Sequence, residues 1–208
     1  MFHLIEGHKF VVEKLHEAMF KEYQAVFDMK ELRLNVNVPP RSAKTTFNKY
    51  FVAYTLAINP RAEFIYTSFS QDLLGDISRQ IQSILNHPIY RKMYSLDETT
   101  IEEIKANPIN EFWKNYLEEN QGKEHFSNKK IITSSGGIVY FPSMGSSITG
   151  FGCGSRNARK FSGCLIIDDG NKPSDIRSQV IRQRVQTYYD ETLLSRLNDS
   201  QTAIINVH

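Results

Sequence analysis

Cysteine is scarce in this chain. Cys153 and Cys164 are the only two among 208 residues, too few for a disulfide scaffold and without the CxxC or Cys/His spacing of a zinc site. His3, His8, His16, His87 and His125 form no metal-ligand spacing either. Long apolar runs are also lacking: Glu6, His8 and Lys9 interrupt the N-terminal apolar residues, and no later run approaches the ~18 residues a membrane span needs. The expectation is a chain with no membrane partner, not secreted, in a reducing cytosol. A surplus of one charge is missing too. Lys+Arg 25 against Asp+Glu 23 leaves +2, which neither names nor excludes a nucleic acid, because a local basic patch acts without a net field. What is present is an ordinary globular composition, 40% hydrophobic and 23% charged, which excludes a collagen-like, coiled-coil or disordered chain. At ~100–200 residues per domain, one compact unit is the simplest organisation.

From Leu4 to Phe27 the residues Val11, Val12, Leu15, Ala18, Met19, Tyr23 and Val26 recur at helical spacing and predict an amphipathic helix, broken near Gly7. Leu32 to Val38 alternates with period two and stops at Pro39-Pro40, a strand ending in a loop. Lys44 to Ile58 reads as a helix, Phe64 to Thr67 as a strand and Leu73 to Leu85 as a helix. That alternation predicts a parallel sheet. His87 to Gln121, interrupted by Pro88 and Pro108, reads as an insertion of helical pieces. Ile131-Ile132-Thr133 and Ile138 to Phe141 flank Ser134-Ser135-Gly136-Gly137, a hairpin signal. After a Gly/Ser-rich segment from Ser143 to Gly154, the apolar strand Cys164 to Ile167 ends in Asp168-Asp169-Gly170; continuous apolarity marks a strand covered on both faces. Ile176 to Leu197 reads as one long helix, and Thr202 to Val207 as the last strand.

Two segments carry chemistry. Pro39-Pro40-Arg41-Ser42-Ala43-Lys44-Thr45-Thr46 lies between a strand and a helix. A phosphate loop needs backbone N–H groups converging on a helix N-terminus, a lysine for the β- and γ-phosphates and a hydroxyl beside it for Mg²⁺. Lys44 and Thr45 supply the last two. Both glycines of GxxxxGK[ST] are missing, with Val38 and Ala43 in their places; alanine is compatible with the loop if its φ is negative. The same residues also fit a solvated first helical turn. The second segment, Cys164 to Asp169, puts two carboxylates at the C-terminal end of an apolar strand, where ligands of parallel sheets bind. One carboxylate can hold Mg²⁺ through water while the next positions or deprotonates an attacking water. Alternatively the pair caps the turn at Gly170. The two segments in one chain favour a nucleotide site.

With these segments in place, the chain resembles, over nearly its whole length, the ATPase half of the large terminase subunit, the DNA-packaging motor of tailed bacteriophages. The Pro-Pro-Arg loop leading to Lys44-Thr45 matches the family's loop. Gly136-Gly137, Ser143, Gly145-Ser146 and Thr149-Gly150-Phe151-Gly152 follow its Gly/Ser pattern, Ile166-Ile167-Asp168-Asp169 its acidic strand, and Tyr188-Tyr189 with Ser195-Arg196-Leu197 its downstream helix.

The resemblance implies an α/β, RecA-like P-loop ATPase domain: a mostly parallel sheet flanked by helices, with a β-hairpin insertion. Residues 1–30 would be an N-terminal helical segment, 31–208 the P-loop core with a helical insertion at about 87–121, and the family's C-terminal nuclease domain is absent from 1–208. Because the sequence stops on an apolar strand, the complete motor is expected to continue past His208. The nucleotide site would comprise Pro40, Arg41, Ser42, Ala43, Lys44, Thr45 and Thr46, with ATP and Mg²⁺ as cofactors. Thr45 and Asp168 would hold the metal, Arg41 would meet the γ-phosphate, and Asp169, where many terminases have Glu, would be the catalytic base. Thr202 to His208 would be the coupling strand. Gln24, before the first strand, would join the nucleotide site by contacting adenine; Tyr23 beside it would either contact adenine or pack within its helix. Arg156 and Arg159 are either trans-acting arginines, a solvated basic loop, or contacts to DNA phosphates. The implied partners are double-stranded DNA, the portal protein and procapsid, the small terminase subunit, and further copies in a homo-oligomeric ring. The place is the cytoplasm of the infected host, docked at the portal vertex. A helicase-like translocase and a truncated, non-catalytic terminase fragment are the alternatives.

Overall fold

Along the residues that the computed structural model describes, 5, 11–94, 125–133, 136–171 and 177–208, helices and strands alternate much as the apolar spacing predicts. α1 (Lys14–Phe27) buries Met19, Tyr23 and Val26 from a single stripe. β1 (Arg33–Val36) is shorter than the alternating run that contains it, ending before the two prolines. α2 (Lys44–Ile58) buries much of its circumference. It is followed by β2 (Glu63–Thr67) and by α3 (Gln71–Leu85), whose cap Ser70 accepts the Leu73 N–H on its side chain. Next come α4 (Pro88–Met93), β3 (His125–Phe126), β4 (Lys130–Ile132), β5 (Ile138–Tyr140) and β6 (Cys164–Asp168), and finally α5 (Gln179–Thr187) and β7 (Ala203–Val207). Residues 95–121 of the expected helical insertion, together with Leu4, Ser134, Ser135 and Ile176, lie outside the described residues.

The strands form one seven-stranded sheet in the order β1-β7-β6-β2-β5-β4-β3. β1, β7, β6, β2 and β5 are parallel, and β4 and β3 extend the sheet antiparallel beyond β5. The β4–β5 pair is the expected hairpin. β6 is buried at all five positions, as its unbroken apolarity requires. Phe64, Tyr66, Cys164, Ile166, Ile205 and Val207 point to a first face, with α1, α2 and α3. Ile65, Leu165, Ile167 and Ile204 point to the second, with Ile148, Cys153 and Leu193. At ~1.5–3 kcal/mol for each large apolar side chain removed from water, these two layers dominate the stability.

The long helix expected from Ile176 to Leu197 is corrected. Regular α-helix ends at Thr187, a π turn runs over Tyr188–Leu193, and a 3-10 turn covers Leu194–Arg196. The wider turn lets Tyr188, Tyr189, Leu193, Leu194 and Leu197 all pack on the second face, which a constant 3.6-residue repeat would not allow. Tyr188 is further held by its hydroxyl, which donates to the Ser146 carbonyl at 2.7 Å. Among the described residues, no helix is long and apolar enough to cross a membrane.

Candidate nucleotide-binding site

Parallel strands end on a common edge, so the carboxyl ends of β1, β7 and β6 meet where α2 begins. The connection from β1 to α2 is the proline-rich loop. Pro40 and Arg41 are exposed at its crest, and Ser42, Lys44, Thr45 and Thr46 are half-buried. Ala43 caps α2 at φ +58°, and Arg41 stands at φ +66°. The negative φ on which alanine's fit depended is therefore not what the loop adopts. Ala43 holds the left-handed conformation for which glycine is suited, at a cost of roughly 1–2 kcal/mol for a side-chain-bearing residue. Strain of this kind persists only where the surroundings impose it. Lys44 folds back across the loop, its Nζ donating to the Val38 carbonyl at 3.0 Å and the His208 carbonyl at 2.6 Å.

The acidic strand approaches from the other side. With period two, Cys164, Ile166 and Asp168 face α2, and Asp168 is only 1% exposed. Its Oδ2 accepts from the Tyr66 hydroxyl at 2.6 Å, and the Thr45 hydroxyl and the Asn48 amide lie near enough to favour its charged form. Burial raises the Asp168 pKa, opposed by the bond from Tyr66 and by the nearby Thr45 hydroxyl and Asn48 amide, while the neighbouring Asp169 charge raises it further. Since the folded value lies above the unfolded one, stability from this group is greatest below the unfolded pKa and is lost as pH rises through the folded pKa. A cation beside the carboxylate would offset that cost. Asp169 leaves the strand at φ +48° and is exposed, its N–H donating to the Val207 carbonyl at 3.0 Å.

β7 lies between the two partners. Its Val207 is paired with both Val36 and Asp168, and the next residue, His208, donates its N–H to the Val36 carbonyl at 2.9 Å. The end of this strand thus touches the loop lysine and the acidic pair together. Thr45 and Asp168 offer hard oxygen donors at neighbouring positions, and Mg²⁺ commonly takes one or two protein ligands with phosphate and water completing its shell. The residues fit that ion. Among the described residues there is no group of three or more His, Cys, Asp or Glu able to hold a metal. A cavity of about 260 Å³ opens elsewhere, on the second face, between α5 and the ends of β6 and β7, where Ile167, Asn206 and Tyr189 line it.

The remaining candidates are not drawn into this cluster. Tyr23 is 4% exposed, packed in the core, which removes it as a stacking surface for adenine. Gln24 turns its amide to Asp28 on its own helix at 2.8 Å. Arg156 and Arg159 are exposed in a loop at the opposite edge of the sheet, where Gly154 N–H donates to the Glu63 carbonyl and Glu63 N–H to the Ser162 carbonyl. Neither arginine can reach this chain's own loop. Sequence reasoning missed Asn48 and Tyr66. Their signals were an asparagine one turn beyond Lys44 in an apolar helix, and a tyrosine in an apolar strand, whose buried hydroxyl needs a partner.

Comparison with family models, with curated proteins and with solved structures returned no match.

Proposed function

We propose that this chain is the ATP-hydrolysing motor domain of a large terminase subunit, RecA-like in fold, which uses Mg²⁺-ATP to drive double-stranded DNA into a procapsid. The observation that carries the reading is the meeting of the loop and the acidic strand at the end of β7, where Lys44 Nζ donates to the His208 carbonyl and Val207 pairs with the buried Asp168. The interposed β7 suits the RecA-like reading, because the phosphate loop and the acidic strand then flank one strand that senses both.

In this reading the triphosphate lies at the N-terminus of α2, where backbone N–H groups and the helix dipole favour anions. Lys44 leaves the Val38 and His208 carbonyls for the β- and γ-phosphates, and Arg41 meets the γ-phosphate from the loop crest. Thr45 and Asp168 hold the magnesium ion. When bound, that ion neutralises charge gathering on the phosphate oxygens. Asp169, exposed beside the buried Asp168, orients and deprotonates the attacking water. Packaging, the portal and small-subunit partners, the ring and the place in the infected host's cytoplasm rest on the resemblance of the loop, the Gly/Ser segment and the acidic strand.

The test is Mg²⁺-dependent ATP hydrolysis by the wild-type chain and by Lys44→Ala. Removal of one preorganised donor to a developing anion costs about 10²-fold or more, so a loss of that size is expected. Equal rates in the two proteins would sink the enzyme reading. Strand-separation activity on duplex DNA would favour the helicase-like alternative, since a packaging motor moves duplex without unwinding it.

A further inference from the structure

The metal carboxylate stands at the end of a buried chain of hydrogen bonds that begins on the first helix. Tyr66 is fully buried on β2 and donates to Asp168 Oδ2 at 2.6 Å. The Tyr66 oxygen accepts from Asn48 Nδ2 at 3.2 Å. Asn48, also fully buried, accepts at Oδ1 from the Tyr23 hydroxyl of α1 at 2.5 Å. The three side chains come from three elements distant in sequence, and each is enclosed by protein.

Such a chain has a direction. An ionised carboxylate only accepts, and a tyrosine hydroxyl has a single proton. Tyr66 must therefore donate to Asp168 and accept from its other neighbour. That requires Asn48 to present its NH₂ to Tyr66 and its carbonyl to α1. The carbonyl in turn needs a donor, and Tyr23 supplies it. Turning the Asn48 amide over would set its carbonyl against the Tyr66 oxygen, whose proton is already committed, and its NH₂ against the Tyr23 hydroxyl. Tyr23 thus fixes the amide, the amide fixes the Tyr66 proton, and the proton holds one carboxylate oxygen. The Tyr23 ring is itself immobilised against Phe51 and Phe47, with centroids at 5.2 and 5.8 Å.

We propose that Tyr66, oriented through Asn48 by Tyr23 of α1, is a positioning residue for the magnesium site: it holds Asp168 Oδ2 and so fixes the orientation of the carboxylate that would meet the cation. The inference rests on the nucleotide reading above and deepens it. It also gives α1 a part in the site by a route other than adenine contact, since the seating of α1 on α2 decides whether Tyr23 reaches Asn48. Hydrogen-bond partners of metal ligands commonly carry about 10–100-fold in metal affinity, because they fix the orientation of the ligand rather than contact the ion.

Binding rather than turnover tests this. Affinity for a fluorescent ATP analogue is measured in EDTA, and Mn²⁺ affinity of the nucleotide-loaded protein is measured by electron paramagnetic resonance, for the full chain and for Tyr66→Phe, Tyr23→Phe and Asp168→Asn. The expected result is a loss of about 10-fold or more in Mn²⁺ affinity for Tyr66→Phe, with a smaller loss in the same direction for Tyr23→Phe and unchanged nucleotide affinity in EDTA for both. A purely structural role would lower the melting temperature of the two Phe variants and leave their Mn²⁺ affinity at the wild-type value. That outcome, with Asp168→Asn still losing the metal, overturns the proposal while the nucleotide reading stands. A wild-type chain that binds neither nucleotide nor Mn²⁺ overturns both. If Tyr66→Phe fails to fold, Tyr23→Phe decides alone, since its hydroxyl is three hydrogen bonds removed from the carboxylate.

Discussion

Ala43 is where one residue type and its backbone disagree most clearly. Its φ of +58° belongs to the left-handed region, and a methyl group there costs roughly 1–2 kcal/mol. Glycine would remove that cost but would enlarge the unfolded ensemble, at about 0.5–1 kcal/mol. Relief of the strained methyl outweighs the added chain entropy, so Ala43→Gly is expected to stabilise the chain by up to about 1 kcal/mol, read as a higher denaturant midpoint at constant slope. An ordinary Ala→Gly change at the start of a helix would lower the midpoint, and a drop of that kind would show that the loop is not held in this conformation. The two cysteines have no comparable tension. Burial pushes the Cys153 thiol up to about 12 and the Cys164 thiol well above its ordinary value, so both behave as small apolar side chains in the native state.

Gly163 governs an element junction. It enters β6 at φ +110°, and a Cβ there would stand 2.0 Å from the Glu63 carbonyl oxygen at the start of β2. Both the backbone conformation and the space exclude a side chain, so Gly163→Ala is expected to cost about 3 kcal/mol or more, the range of changes that force backbone apart. Gly75, inside α3, is the control. A Cβ there meets nothing nearer than the Arg79 guanidinium at 3.6 Å, and Gly75→Ala should stabilise by about 0.5–1 kcal/mol through helix propensity. Thermal melts of both variants would test the contrast. Elements of this kind were legible wherever one period dominated: the stripe of Met19, Tyr23 and Val26, the apolar run of β6 and the hairpin of β4 and β5 all follow from local spacing. The two-residue β3 was not, because His125-Phe126 carries no periodicity and gains its strand character only from pairing with β4. Nor was the π turn at Tyr188–Leu193, which answers to the shape of the second face. In the site, Lys44, Thr45 and Asp168 were legible as residue types in their loops and strands. The Tyr23–Asn48–Tyr66 chain was not, since its members meet only through tertiary packing.

At the scale of the molecule the sheet separates two candidate sites by its own length. The proline-rich loop before α2 and Asp168 occupy the carboxyl edge, while the exposed Arg156, Arg159 and Lys160 sit at the amino edge, a strand of five residues or about 15 Å away. A net charge of +2 is consistent with a basic cluster confined to one end. An arginine at that distance cannot stabilise phosphate in its own chain, but in a head-to-tail ring the amino edge of one copy can face the carboxyl edge of the next. The two variants that divide these parts should therefore complement each other. Lys44→Ala lacks a working loop but keeps its arginines; Arg156→Ala/Arg159→Ala lacks the arginines but keeps its loop. Each alone is expected to hydrolyse ATP at least about 10²-fold more slowly than the wild type, and an equal mixture is expected to recover a sizeable part of the lost rate, rising with protein concentration as copies associate. No recovery in the mixture, together with a duplex affinity that falls for the arginine variant and a shallower salt dependence of binding, would assign the loop to DNA phosphates instead.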